Sequence, residues 1–242
     1  MAGAYEEIAS LRAEDAPMHP GGFALTDRAL AVCSLSPGAR VLDVGCGTGG
    51  TVARLIGRYG YHAFGVDPSS FLLQMGRMKD IPSALVRAVG EDLPFRSAAW
   101  DCVLAECSLS VAKNPDRVLK ECHRLLRESG RLVLSDLYIR NPGGMPEKHS
   151  LAPACCLRGA MSREGLLAAL HASGFHILVW EDHSPALKQY AAELLLSCGS
   201  VEEFRMLFWR GGCAEDDGEG FRRILALAKP GYFLLVAEKR NG

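Results

Sequence analysis

Val41-Leu-Asp-Val-Gly-Cys-Gly-Thr-Gly-Gly50 decides the fold of this 242-residue chain. An apolar strand runs into a tight glycine turn and then into the start of a helix. Glycines let the main chain take positive φ and let a ligand come close to it. The helix start behind them supplies unpaired N–H groups and the positive end of a dipole. Gly45, Gly47 and Gly50 also satisfy G-x-G-x-x-G, so a dinucleotide reading stands beside any other at this point.

Asp43 separates the readings. It ends the strand two residues before the first glycine, where its carboxylate would face the ligand. Placing that charge against a pyrophosphate would cost several kcal/mol in a sheltered cleft, whereas a ligand with a cationic amino group gains there. S-adenosylmethionine has such a group, together with a cationic sulfonium and a carboxylate. Asp67 closes the next strand and is positioned to accept the two hydroxyls of a ribose.

Outward from this motif, strand-like and helix-like runs alternate. Strands are expected at 40–44, 62–66, 84–89, 101–106 and 131–136, then at 175–180 and 232–238. Helices are expected at 50–60, 69–79 and 115–128, the last stopped by Ser129-Gly130, and at 162–171. The long stretch between the last two strands carries helical patterns at 185–197 and 201–210 and a glycine- and acid-rich loop at 211–220. The expectation is an α/β, doubly wound, mostly parallel sheet in a single domain. Residues 1–35 form an N-terminal flap with a helix capped by Thr26, 36–183 the cofactor-binding core, 184–229 a helical lid and 230–240 the last strand.

Composition narrows the function. The chain is 48% hydrophobic and 23% charged, with 27 Lys+Arg against 28 Asp+Glu. Such a balance suits one well-buried domain and excludes a disordered chain. A net charge of −1 argues against nucleic acid as a partner, because phosphate binding needs a basic excess. No apolar run approaches the roughly 20 residues of a membrane span, and the acidic N-terminus lacks a secretory pattern. A cytoplasmic enzyme with a small-molecule substrate is therefore expected. Nine cysteines, an odd number without a C-x-x-C pair, argue against a disulfide framework or a structural metal. Cys33, Cys102 and Cys122 lie in apolar periodic stretches and read as core residues.

With these blocks in place, the chain resembles the class I S-adenosylmethionine-dependent methyltransferases of the type-11 group. The resemblance rests on Val41–Gly50, Gly65-Val-Asp-Pro68, Glu91-Asp-Leu-Pro-Phe95 with Trp100-Asp101, and the run from Leu125 to Asp136. It implies a seven-stranded sheet whose last strand is antiparallel, and S-adenosylmethionine as cofactor. It further implies that Asp43, Gly45, Cys46, Gly47, Thr48 and Gly49 hold the methionine part, and that Asp67 and Pro68 lie at the ribose. Gly90, Glu91, Asp92 and Leu93 would flank the adenine, with Glu106 near the end of the fourth strand. Many relatives carry an acid where Val89 stands, so here Glu91, Asp92 or the main chain would hold the adenine edge.

Methyl transfer asks the protein to position a nucleophile and exclude water, and a base is needed only when the acceptor holds a proton. The absence of a catalytic triad is therefore neutral. A narrower resemblance, to arsenite methyltransferases, is carried by Glu106-Cys-Ser-Leu-Ser-Val111, by Ser135-Asp-Leu-Tyr138 and by Cys156-Leu-Arg-Gly-Ala160. It implies that Cys156 binds a thiophilic acceptor, with Cys107 as a second candidate and Cys155, Cys198 or Cys213 as further partners. Thiolates suit such soft centres. The alternative is a small organic metabolite methylated on O, N or C, for which His19, Tyr138, His149 and Arg158 are rim candidates. A nicotinamide-dependent oxidoreductase and a non-catalytic cofactor-binding protein complete the field.

Overall fold

The computed structural model describes residues 4–11, 17–78, 84–144, 151, 155–208 and 219–240. Helices α1 (Ala4–Leu11) and α2 (Gly22–Cys33) precede β1 (Arg40–Val44), α3 (Gly50–Tyr59), β2 (His62–Asp67), α4 (Ser70–Arg77), β3 (Leu85–Arg87) and β4 (Trp100–Glu106). Then come α5 (Pro115–Leu125), β5 (Leu126–Ile139), α6 (Cys156–Gly159), β6 (Met161–Ser162), α7 (Arg163–Ala172) and β7 (Phe175–Asp182). The chain ends through α8 (Ser184–Cys198), α9 (Val201–Phe208), α10 (Glu219–Ala228) and β8 (Pro230–Lys239).

Seven strands lie in the order β3-β2-β1-β4-β5-β8-β7, with the two-residue β6 paired to β5 off that path. β1, β2, β3, β4 and β5 pair in parallel, and β8 runs antiparallel to both neighbours, from Arg131↔Glu238 to Ile139↔Pro230 on the β5 side. This is the doubly wound sheet expected from the sequence. Because successive side chains point to opposite faces, each central strand feeds two cores. Leu42, Val44, Val103, Ala105, Leu132 and Leu134 enter one, and Val41, Cys102, Leu104 and Val133 enter the other. Each such fully buried aliphatic side chain contributes about 1.5–3 kcal/mol. Cys33, Cys102 and Cys122 are buried in these cores, as their apolar settings indicate.

Local chemistry sets the element ends. The Asn114 side chain accepts the Arg117 N–H at 3.0 Å, and Pro115 follows at the first helical position of α5. Several expected boundaries shift, and the strand expected at 84–89 shortens to Leu85–Arg87. α5 stops at Leu125 rather than at residue 128, because Leu126 already pairs with Trp100 at the start of β5. Ser129, at φ +58°, and Gly130 therefore sit in an irregular stretch of that strand, where the ladder shifts register before Cys102↔Arg131. Thr26 is not a cap. α2 starts at Gly21 and Gly22, both at positive φ, and Thr26 lies one turn inside with its hydroxyl committed elsewhere. No helix among the described residues is long and apolar enough to cross a membrane.

Candidate active site

The parity that sorts the cores also builds the site. Asp43, Asp67 and Glu106 end β1, β2 and β4 on the face shared with Val41, Ala63 and Leu104. Ligands of open α/β sheets bind outside these carboxyl ends. All three carboxylates are buried. Burial pushes the Asp43 carboxyl well above its usual range, and the neighbouring charges of Glu106 and Asp67 push it further. Burial also raises Asp67, against the opposing pull of its two backbone N–H donors. Glu106 accepts the hydroxyls of Thr26 at 2.8 Å and Thr51 at 3.1 Å, and His19 Nε2 lies 3.4 Å from its Oε2. No described lysine or arginine is ion-paired to any of the three.

The glycine loop closes over this charge. Gly45 and Cys46 both donate their N–H to Val66 O, and Gly47 donates to Asp67 Oδ2 at 2.9 Å. Ser69 N–H fills the other Asp67 oxygen at 2.8 Å. A carboxylate has about four acceptor sites, so Asp67 keeps capacity for ligand hydroxyls. Gly45 and Gly47 have φ of +82° and +55°. A Cβ on Gly45 would stand 2.4 Å from Ser108 Cβ, and one on Gly47 would stand 2.3 Å from Met18 Cε. The loop thus needs its glycines both for conformation and for the close approach of neighbouring chain.

At the expected adenine edge, Glu91 turns its carboxylate to the N–H groups of Lys113 and Asn114, at 2.8 and 3.1 Å. Arg117 donates to the Glu91 carbonyl, and the Leu93 N–H goes to Glu121. Glu91 is therefore already engaged at the start of α5, while Asp92 is exposed and Leu93 is buried. A Cβ on Gly90 would stand 3.2 Å from Val118 and 3.3 Å from Val44.

The acceptor candidates converge. Cys107 follows β4, and Cys156 opens α6. One ligand atom each from Cys107, Asp136 and Cys156 lie within 4.8 Å of one another. Asp136 accepts Ser110 Oγ at 2.6 Å, Ser110 N at 2.9 Å and its neighbour Leu137 N at 2.7 Å, yet burial lifts its carboxyl to about 6. A phenol stands by each sulfur: Tyr232 O–H lies 3.2 Å from Cys107 Sγ, and the Tyr5 hydroxyl meets Cys156 Sγ. Cys107 has φ +52°, a left-handed conformation that a non-glycine residue holds only when its surroundings impose it. The other cysteines do not join. Cys155 packs with Ile139, Leu151 and Ile224, and Cys198 with Ile8, Leu194 and Leu207. Cys213 and His149 lie outside the described residues. Tyr138 donates to Asp182 at 2.6 Å and Arg158 to Leu151 O, both serving local structure.

Sequence reasoning assigns no role to Tyr5, Tyr232 or Asp136. Asp136 is visible in the Ser135–Tyr138 block, but Tyr5 and Tyr232 carry no motif, and only the fold brings them to the sulfurs. α1 reaches the site through this tyrosine and through Glu6, which accepts the Ser69 hydroxyl at 2.6 Å.

Residues 42–134 match a protein-family model described as a methyltransferase domain. The chain is 34% identical over 137 residues to an uncharacterized methyltransferase, YodH, of Bacillus subtilis (strain 168), covering 55% of this chain and 58% of that relative. It is 29% identical over 156 residues to an arsenite methyltransferase of Halobacterium salinarum, covering 60% of this chain and 39% of the relative. The chain thus spans less than two thirds of the length of these relatives. Among solved structures, the [4+2]-cyclase SpnF superposes with a TM-score of 0.72 at 25% identity, over 98% of this chain and 94% of that one. Phosphoethanolamine N-methyltransferase 2 of Haemonchus contortus, in complex with S-adenosyl-L-methionine, superposes with a TM-score of 0.72 at 18% identity, over 98% and 56%. Residues 42–134 thus resemble a methyltransferase domain, on a doubly wound sheet shared with these solved structures. The solved neighbour from Haemonchus contortus holds S-adenosyl-L-methionine, a ligand whose cationic groups suit three buried carboxylates beside a glycine loop.

Proposed function

We propose that this chain methylates a small thiophilic acceptor, a trivalent metalloid or a sulfur or selenium centre, held by Cys107 and Cys156. The observation that carries this reading is the convergence of the two thiols with Asp136 beside the end of β4, next in sequence to Glu106. Likeness to an arsenite methyltransferase supports it. When bound, S-adenosylmethionine supplies an electrophilic methyl group. Asp43, Asp67 and Glu106 receive the positive end of that donor, Gly45 and Gly47 let the main chain approach it, and the thiols fix the acceptor. An acceptor atom with a free lone pair needs no base. α1, α8 and α9 act as flap and lid: Tyr5 and Ile8 of α1 pack with α8 and α9, excluding water. An odd set of nine cysteines with no disulfide pattern suits a reducing compartment such as the cytoplasm.

The test is methylation of arsenite and selenite by reduced protein. Cys107→Ser and Cys156→Ser should each abolish turnover while S-adenosylhomocysteine still binds. Wild-type protein that neither binds nor methylates either anion refutes the reading. A second reading, an O-, N- or C-methyl acceptor that loses a proton, is favoured by Asp136, whose carboxyl is lifted to about 6 and so suits a base. Asp136→Asn would then lower kcat with an organic acceptor and flatten the acid limb of its pH profile.

A further inference from the structure

We propose that Cys107, Asp136 and Cys156 form a binding site for a thiophilic divalent cation of the zinc class. This depends on the geometry of the three side chains and not on the metalloid reading above. No spacing in the sequence announces such a site, since its donors come from the ends of β4 and β5 and from α6.

The donor set matches the ion. Zinc takes thiolates and carboxylates in tetrahedral geometry, with sulfur bonds of about 2.3 Å that place two sulfurs roughly 3.8 Å apart. The three donor atoms here already lie within 4.8 Å of one another, so small side-chain rotations close the shell. Asp136 is gripped from behind by the Ser110 hydroxyl and by the N–H groups of Ser110 and Leu137. Those bonds orient the ligand oxygen, as partners behind metal ligands do. The phenols of Tyr5 and Tyr232 sit against the two sulfurs and can donate to them once they are thiolates. Three protein donors leave the fourth position for an exchangeable ligand, the arrangement of reactive rather than structural zinc sites.

The thiols bring protons that the metal must displace. Only the thiolate coordinates a metal, so a ligating thiol gives up its proton on binding. Binding therefore replaces two S–H bonds by two metal–sulfur bonds, retains the Asp136 carboxylate as the third ligand and releases two protons to solvent. No electrons move and no oxidant is needed.

The experiment uses the full-length, reduced protein titrated with Zn²⁺ and Cd²⁺ after chelator treatment. Expected are one ion per chain, a sulfur-to-cadmium charge-transfer band in the ultraviolet, and release of about two protons, read from binding heats in buffers of different ionisation enthalpy. Cys107→Ser and Cys156→Ser should each weaken Zn²⁺ binding by more than about 100-fold, beyond the loss typical of partners behind the ligands. Asp136→Asn should weaken it less, and Cys198→Ser should leave it unchanged. S-adenosylhomocysteine binding reports that each variant is folded. Should a cysteine variant fail to fold, X-ray absorption of the cadmium-loaded wild type reads the ligands directly, and a shell without two sulfurs overturns the proposal. So does the absence of binding, or a stoichiometry indifferent to both cysteines. Zn²⁺ binding without any metalloid methylation would refute only the acceptor reading, and the reverse result would refute only this one.

Discussion

The proposed cofactor floor and the proposed acceptor corner lie side by side but are built in opposite ways. The floor consists of three carboxylates, each at the end of its own strand and each on the side that strand parity dictates. The corner gathers residues 5, 107, 136, 156 and 232 from a helix, three strand ends or borders and a short turn of helix. The floor is local chemistry repeated along a sheet, whereas the corner exists only once the sheet, α1 and α6 have docked. The two also differ in kind: the floor gathers three buried carboxyl groups, while the corner sets two thiols beside one carboxyl lifted to about 6.

The largest expected effect on stability tests that contrast at the corner. An acid whose pKa is raised on folding stabilises the fold below its unfolded value and loses that contribution as pH rises through the folded one. For Asp136, the carboxyl moves from 3.8 unfolded to about 6 folded. The wild-type protein should therefore lose on the order of 2 kcal/mol relative to Asp136→Asn between pH 4 and pH 7. Asp27, Glu121 and Glu181, which are lowered by arginine partners, act in the opposite direction and mainly below that window. Denaturation of both proteins across the range measures the difference. Parallel stability curves would show that the carboxyl ionises normally.

At the floor, Asp43→Ala should weaken S-adenosylhomocysteine by about 10- to 150-fold, the equivalent of the roughly 1.5–3 kcal/mol of a charged hydrogen bond. Calorimetry measures it. The same variant should leave Zn²⁺ binding at the corner intact, so joint loss of both would mean that the two regions are not separable.

The contrast also explains what can be read from the sequence. Asp43, Asp67 and Glu106 are legible because a strand followed by glycine or by a strand-end acid leaves a pattern within a few residues. The antiparallel β8 and its late partner β7 answer to the same alternation and to the family resemblance. Cys107 and Cys156 stand out separately, by resemblance, but their meeting is not readable, nor is the choice of Cys107 over Cys155 or Cys198 as partner. Those two face apolar clusters around α10 and α9, a distinction made by packing alone. Thr26 misleads for a related reason. A threonine near a helix start resembles a cap until a distant buried acceptor, Glu106, claims its hydroxyl.

A smaller effect marks the border between the regions, where Met18 rests on the glycine loop. Gly47→Ala forces a left-handed residue to carry a Cβ, at about 1–2 kcal/mol. It also displaces the Met18 methyl, which lies 2.3 Å from the position of the new atom. Denaturant midpoints should fall accordingly, with weaker S-adenosylhomocysteine binding as the flap is pushed off. Unchanged binding with reduced stability would show that the segment around Met18 does not cover the cofactor.

The smallest effect isolates a single contact between flap and corner. Tyr5→Phe keeps the ring in its place and removes only the hydroxyl at Cys156. The loss of that single hydrogen bond should cost about 1 kcal/mol of stability. More telling is the thiol itself. With its phenol partner gone and α1 less firmly seated, Cys156, half-buried already, should be alkylated by iodoacetamide several times faster than in the wild type. Cys107, which keeps Tyr232, should react at its original rate. Equal acceleration at both sulfurs would mean that α1 shields the whole corner rather than one thiol, whereas no acceleration at either would place the barrier to solvent in α8 and α9 instead.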